Sequence, residues 1–469
     1  MTPNTPLDKC DRAIRYDGAG RGSSDDPNFA DGEVSEATAL AGGRALETNG
    51  RSSEMPSLES LEVERGLTST ARSHLSGGII LALAFGCGLL VANLYFGQPL
   101  AAPISASTGL PPSLAGVPVT LTQVGYAIAL LLLAPLGDIC ETRAVVVPIV
   151  LIGLLALVAA ALSSSPGPFL VSSLGIGICP VGGQILLPYA ARLAPEHERG
   201  HVVGKVMSGL LLGIMLSRPM GSFVASVAGW RAIYWLMAAG EAVLAVLLLK
   251  VLPSLRPQTS LSYTALLRSL LPIWRNHAEL RYRAVIHAGL LAAFILFWTA
   301  APLHLARDFG LGQQAIGLFA LAGVSGACVA PFVGRIADAG HRQPRIARAA
   351  QLVALTTAVI PFIISFFGHR IWAVGLLACA GIVLDAAVTA NMILTQRAIF
   401  SLGDDIRTRV NALYMAFIFL AGACGSALGG WGIATGGWPL AAAFGVALTG
   451  GSLLFALLSG VPRSNPRNF

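Results

Sequence analysis

Three ionisable side chains, Arg218, Glu241 and Asp385, stand inside long apolar runs of this sequence. A charge placed deep in hydrocarbon costs at least ~2.5 kcal/mol even on the lenient insertion scale, so such residues are functional candidates wherever they occur. Asp385 has no basic residue within a turn or two along its run. A lone carboxyl in a dry setting favours the neutral acid, which lets it take up a proton and release it on meeting water. The plainer alternative is an aspartic acid hydrogen-bonded for packing alone. Arg218 lies eleven residues before Gly229 and Glu241 twelve after it. At about 1.5 Å per helical residue both sit roughly 17 Å deep, near the middle of a bilayer. They can form a midplane ion pair; alternatively, Arg218 faces a cavity and holds an anion or senses a proton on Glu241.

A second chemical signature is His197, Glu198 and His201, which match H-E-x-x-H, the zinc metalloprotease pattern. Here Pro195 and Gly200 bracket a loop, no third ligand is evident, and Arg199 would repel a cation. The match reads as chance, and Glu198→Gln should leave activity intact. The seven cysteines are scattered without paired spacing, which predicts reduced core thiols, and neither a metal nor a cofactor is implied.

The elements that carry these residues are set by composition. Hydrophobic residues make up 54% of the chain and charged ones 12%, and the mean hydropathy is +0.70, against about 25% charged residues in soluble domains. Roughly 20 helical residues cross a hydrocarbon core, and backbone groups in lipid must bond within their own segment. Twelve such runs occur: 79–98, 114–136, 144–162, 169–191, 202–227, 233–252, 285–303, 316–334, 347–367, 371–396, 410–433 and 440–458. The expected fold is therefore an all-α membrane protein of 12 transmembrane helices.

Lys and Arg concentrate in alternate joints, while the opposite joints carry only Arg231, Arg307 and Arg370. Positive charge stays on the cytoplasmic side, which predicts both termini inside and a multi-pass protein of the plasma or inner membrane. The pI near 9.2 is thus topological, without the basic and aromatic interleaving of a nucleic-acid surface. Residues 1–76 read as a disordered cytoplasmic tail, 77–252 as a first six-helix half, 253–283 as a cytoplasmic linker, 284–460 as a second half, and 461–469 as a short cytoplasmic tail.

The halves repeat. Gly109 and Leu110 recur as Gly310 and Leu311, and Leu136, Gly137 and Asp138 as Ile336, Ala337 and Asp338. Arg199, Val202 and Met207 recur as Arg407, Val410 and Met415, and Gly229 and Trp230 as Gly437 and Trp438, all in order and at offsets of about 200.

On these residues the chain resembles the major facilitator superfamily. The superfamily's loop signature fits Gly334, Asp338, Gly340, His341 and Arg342 in the second half, and survives in the first as Asp138 and Arg143 with Ala134 and Glu141 in place of glycines. The stretch from Pro188 to Ala191, with Arg199 and Gly200, is similar to bacterial-type twelve-helix drug:proton antiporters. Gly209, Gly213, Ser217, Pro219 and Gly221 loosely resemble the antiporter motif of the fifth helix. The resemblance implies two pseudo-symmetric halves around a central cavity with midplane binding, and a cytoplasmic gate latched by Asp138, Arg143, Gly334, Asp338 and Arg342. It also implies that the tenth helix, which carries Asp385, lines the cavity. Asn93, Tyr95, Gln98, Gln184, Trp298 and Asn391 are further cavity candidates. Amide and aromatic groups on an apolar wall suit an amphipathic organic molecule.

The expected function is secondary transport by alternating access in a monomer: proton-coupled export of a small amphipathic compound, with Asp385 as proton carrier. With no Walker loop, the energy source should be an ion gradient. Import of a nutrient by proton symport is the alternative. The rivals outside this class are an intramembrane metalloprotease and a transport-dead receptor, and the receptor should keep its function without Asp385.

Overall fold

Glycine and proline decide where the long apolar runs bend. In the computed structural model, which describes residues 76–253, 262–324, 332–333, 335, 343–366, 371–403 and 406–459, the first run is helical only over α1 (Gly77–Ala92). Gly97, followed by Pro99 with its missing N–H, converts the next residues to tight turns, Tyr95 N–H donating to Ala92 O and Gln98 N–H to Tyr95 O. A 3₁₀ turn (Gln98–Leu100) and α2 (Ala101–Thr108) complete the segment. The fourth run is interrupted in the same way, at Cys179 and Pro180 between α6 (Pro166–Ile178) and α7 (Val181–Leu193).

The remaining first-half helices are α3 (Val117–Leu132), α4 (Leu136–Ile139), α5 (Thr142–Leu162), α8 (Arg199–Ala228) and α9 (Trp230–Val251). The second half contains α11 (Ala278–Asp308), α12 (Gln313–Ala320), α13 (Gln343–Ile364), α14 (Ile371–Phe400) and α15 (Arg407–Ser459). Among the described residues nine helices are long and apolar enough to cross a membrane. One of them, α15, holds the last two expected runs, and the shorter segments Gly77–Ala92 and Gln313–Val324 supply the first and eighth. Large apolar side chains such as Leu155, Val227 and Ile371 point outward, as lipid requires.

The repeat is a repeat of backbone conformation. Gly109 and Gly310 take φ of 75° and 64°, and Gly229 and Gly437 take 79° and 65°, all in the region that a Cβ disfavours. Gly437 bends α15 into two spans. The stripe of small residues in α8 also has its partner. A Cβ on Gly209 would fall 2.3 Å from Ala84 O, and one on Gly213 2.1 Å from Gly88 O, so α8 and α1 touch backbone to backbone inside the first half.

The linker is more structured than a bare joint. It carries α10 (Tyr263–Asn276), whose buried Leu266, Leu270 and Ile273 form an apolar stripe. Trp274 packs on Phe417 of α15 at 5.0 Å, while the Tyr263 hydroxyl donates to Leu132 O of α3 at 2.9 Å. Cys140, read as a reduced thiol, is disulfide-bonded, whereas Cys87, Cys179, Cys379 and Cys424 are free.

The two halves meet most tightly at the end opposite the basic joints. A Cβ on Gly116 would lie 2.3 Å from Ser426 O, and one on Gly430 2.5 Å from Gly116 N. Ser426 Oγ donates to Gly116 O (2.9 Å) and Thr120 Oγ1 to Ala423 O (3.2 Å). At the basic end the halves part around a cavity.

Candidate functional site

Helix α11 is buried almost throughout, from Leu280 to Leu305, and offers Phe294 and Trp298 to the first half. Against them lies Arg218 of α8, 2% exposed. Its Nε donates to Gln98 Oε1 at 2.6 Å. The guanidinium carbon stands 4.8 Å from the ring centres of both Tyr95 and Trp298 and 5.2 Å from that of Phe294. Stacking of a delocalised cation on aromatic faces partly repays its lost hydration. The break after α1 places Tyr95 and Gln98 here. Gly323 keeps the remaining side open, since a Cβ there would come within 3.1 Å of the Trp298 ring and 3.3 Å of Arg218 Nη1.

Asp385, 5% exposed on α14, completes the group. Arg218 is the charge acting on its carboxyl, and the Trp298 indole N–H faces it. The sequence found no base near Asp385 because the base comes from the other half of the chain. Arg218 and Asp385 do not close to a direct ion pair, and Arg218 Nη2, Gln98 Nε2 and Trp298 Nε1 are buried donors without a closed hydrogen bond. Such orphans are rare in native proteins and call for an acceptor.

The expected pairing of Arg218 with Glu241 is not made. Glu241, fully buried on α9, turns into the first half, where its Oε1 accepts from Asn93 Nδ2 (2.6 Å) and Cys179 Sγ (3.0 Å). The two side chains leave their helices toward different neighbours, Arg218 toward the second half and Glu241 into its own. Asn93 consequently serves Glu241, whereas its neighbours Tyr95 and Gln98 serve Arg218.

At the basic end a cavity of about 340 Å³ opens between the halves, lined by Asp138, Gln184, Arg192, Arg199 and Asn411, among others. Asn411 Nδ2 donates across the interface to Gln184 Oε1 at 3.4 Å. One turn deeper than Leu130 on α3, Tyr126 meets Phe419 of α15 edge to face at 4.7 Å. Tyr126 lies near both Gln184 of the cavity wall and Tyr95 of the Arg218 group. The basic groups acting on Asp138 are Arg192 and, from the second half, Arg409. The partner expected from the sequence, Arg143, makes no ion pair with it, because α4 turns Asp138 toward α7. Gly334, Asp338 and Arg342 lie outside the described residues.

Asn391 bonds His287 Nδ1 at 3.1 Å. His287 is fully buried, its Nε2 unpartnered, 5.9 Å from the Tyr414 ring. A census that includes histidine would have marked it. Gln123, fully buried with both amide atoms unpartnered, was missed as well, and its position in an apolar run was the available signal. His197 falls in the turn before α8 and His201 in its first turn, so the two rings do not share a helical face.

The comparisons with known proteins agree with this architecture. The family profile described as Major Facilitator Superfamily matches residues 80–403. The uncharacterized transporter YgaY of Escherichia coli O157:H7 is 36% identical over 366 residues, covering 76% of this chain and 91% of its own. The purine ribonucleoside efflux pump NepI of Escherichia coli O6:K15:H31 is 22% identical, covering 80% and 91%. Among solved structures, a bacterial homolog to the human lysosomal transporter Spinster, inward-facing and unoccupied, superposes with a TM-score of 0.61 at 14% identity, covering 81% and 94%. With two halves joined at one end and parted at the other, and with this profile and this relative, the chain belongs to the Major Facilitator Superfamily of transporters.

Proposed function

We propose that the protein is a proton-coupled secondary transporter that exports a small amphipathic organic compound by alternating access, with Asp385 as the proton carrier. The observation that carries this reading is the placement of Asp385 between the halves, beside Arg218 and three unsatisfied donors. A proton on Asp385 removes its attraction for Arg218, so proton occupancy changes what the guanidinium can hold and how the halves fit. The orphan donors suit an acceptor-bearing head group, and the Tyr95, Phe294 and Trp298 rings suit an apolar or aromatic body. Export is supported by the relative named as an efflux pump and by the resemblance to drug:proton antiporters.

In this reading the basic end is cytoplasmic, the protein works as a monomer in the plasma or inner membrane, and the cavity is the inward-open vestibule. Asp138 under Arg192 and Arg409 latches its mouth. Accumulation of a panel of labelled compounds in cells with and without the protein tests the reading. Expression should lower accumulation, and a protonophore or Asp385→Asn should abolish the difference. Unchanged export under the protonophore would sink proton coupling.

A second reading rests on Arg218 itself. Once Asp385 is protonated the guanidinium is uncompensated, which favours joint occupancy by a proton and an organic anion, and hence symport inward. Higher accumulation of acidic compounds in expressing cells would establish it over export.

A further inference from the structure

A buried acid, Glu241, and the buried base Arg218 are joined by one short break in the first membrane helix. Asn93, the first residue after α1, donates to Glu241 Oε1. Two residues on, Tyr95 covers the Arg218 guanidinium, and three further on Gln98 accepts from Arg218 Nε. The segment Asn93 to Gln98 therefore holds Glu241 at one end and the transport site at the other.

The surroundings of Glu241 are built for a neutral acid. It is fully buried between α1, α5, the α6–α7 break and its own α9. Cys179 is the titratable group touching it among the described residues, and Asn93 at the end of α1 and Gly153 of α5 carry no charge. Gly153 is required by space, since a Cβ there would fall 2.6 Å from Glu241 Oε2 and 2.3 Å from Cys179 Sγ. Glu241 Oε2 and Asn93 Oδ1 are both buried acceptors with no donor. As a carboxylate, Glu241 would be an uncompensated anion in a dry bundle, which is severely unfavourable. A single proton supplies the missing donor on Oε2, with Asn93 Oδ1 on the adjoining amide as an acceptor. Interrupted membrane helices gathered round a polar group are the usual setting of coupling-ion sites, and two interruptions meet here.

We propose that Glu241 is a second proton-binding site and a positioning residue, whose occupancy sets the Asn93–Gln98 segment and thereby the grip of Gln98 and Tyr95 on Arg218. When the proton leaves, the carboxylate draws Asn93 and water toward itself, and the segment shifts at its Arg218 end. This goes beyond the role given to Asp385 and can fail without it.

The test uses the full chain in liposomes, without any substrate. Infrared difference spectra between acid and alkaline buffer read protonated buried carboxyls. Trp298 emission, taken as wild type minus Trp298→Phe, reads the Arg218 cage. Glu241→Gln should remove one carbonyl band and Asp385→Asn a different one, so the two readings fail separately. In the Asp385→Asn protein, Trp298 emission should still follow the Glu241 band with pH. In Asn93→Ala the Glu241 band should persist while Trp298 ceases to follow it. A spectrum unaltered by Glu241→Gln, or a Trp298 response that survives Asn93→Ala, overturns the proposal. So does a Glu241 band displaced by sodium against choline at constant pH, which would make this a sodium site. If Glu241→Gln does not fold, Cys179→Ala must shift the same band by removing a donor to its carboxyl; an unmoved band overturns the proposal equally.

Discussion

Glu241 and Asp385 are both acids buried in apolar helices, yet one faces into a single half and the other faces across two. Glu241 is held by Asn93 and Cys179 of its own half, contacts that the proposed alternating access would leave intact. Asp385 sees Arg218 from the opposite half, so that relation must change whenever the halves move. The glycines divide in the same way. Gly213 lets α8 touch α1 within the first half, while Gly116 and Gly430 let the halves touch each other. Identical chemistry thus acts within one half or across two according to which boundary it lies on.

Substitutions can break that distinction. The largest effect is expected for Asp385→Asn, which should reduce protonophore-sensitive transport to background while leaving thermal stability in detergent near wild type. A stability loss equal to the activity loss would make Asp385 a packing residue. Next come the glycines. Gly430→Val should hold the ends opposite the cavity apart and abolish transport, whereas Gly213→Val should chiefly destabilise the fold, by ~1–3 kcal/mol of overpacking, read as a lower melting temperature. If both variants behave alike, the two boundaries are not mechanically distinct. Arg218→Lys keeps the charge but loses the planar stack, worth ~2 kcal/mol when desolvated, so binding should weaken by roughly tenfold or more. The smallest effect belongs to Glu198→Gln, for which uptake and efflux rates should match wild type; a dead variant would revive the hydrolytic reading of the H-E-x-x-H segment.

Much of the architecture was legible in the sequence. Hydrophobic length marked the spans, and the repeated Gly109/Gly310 and Gly229/Gly437 pairs marked turns whose positive φ the structure shows. Of the residues that resemble the antiporter motif, Gly209 and Gly213 lie where α8 touches α1 backbone to backbone. Less was legible at the site. Tyr95, Gln98, Trp298 and Arg218 do converge, but Asn93 went to Glu241, Asn391 went to His287, and Asp138 took Arg192 and Arg409 in place of Arg143. The amphipathic α10 was hidden because its short apolar stripe falls below the length of a membrane span.

What the sequence by itself determined was spacing along the helix axis. Residues counted from Gly229 put Arg218 and Glu241 near the same level, because rise per residue is a local property of the helix. Azimuth and partnership were decided only by the tertiary structure. Each residue turns a helix by about 100°, and the breaks at Asn93 to Gly97 and at Cys179 and Pro180 reset that phase. Which face then meets which neighbour depends on packing between elements far apart in the chain. That packing alone sent Glu241 into one half and brought Arg218 to Asp385 across two.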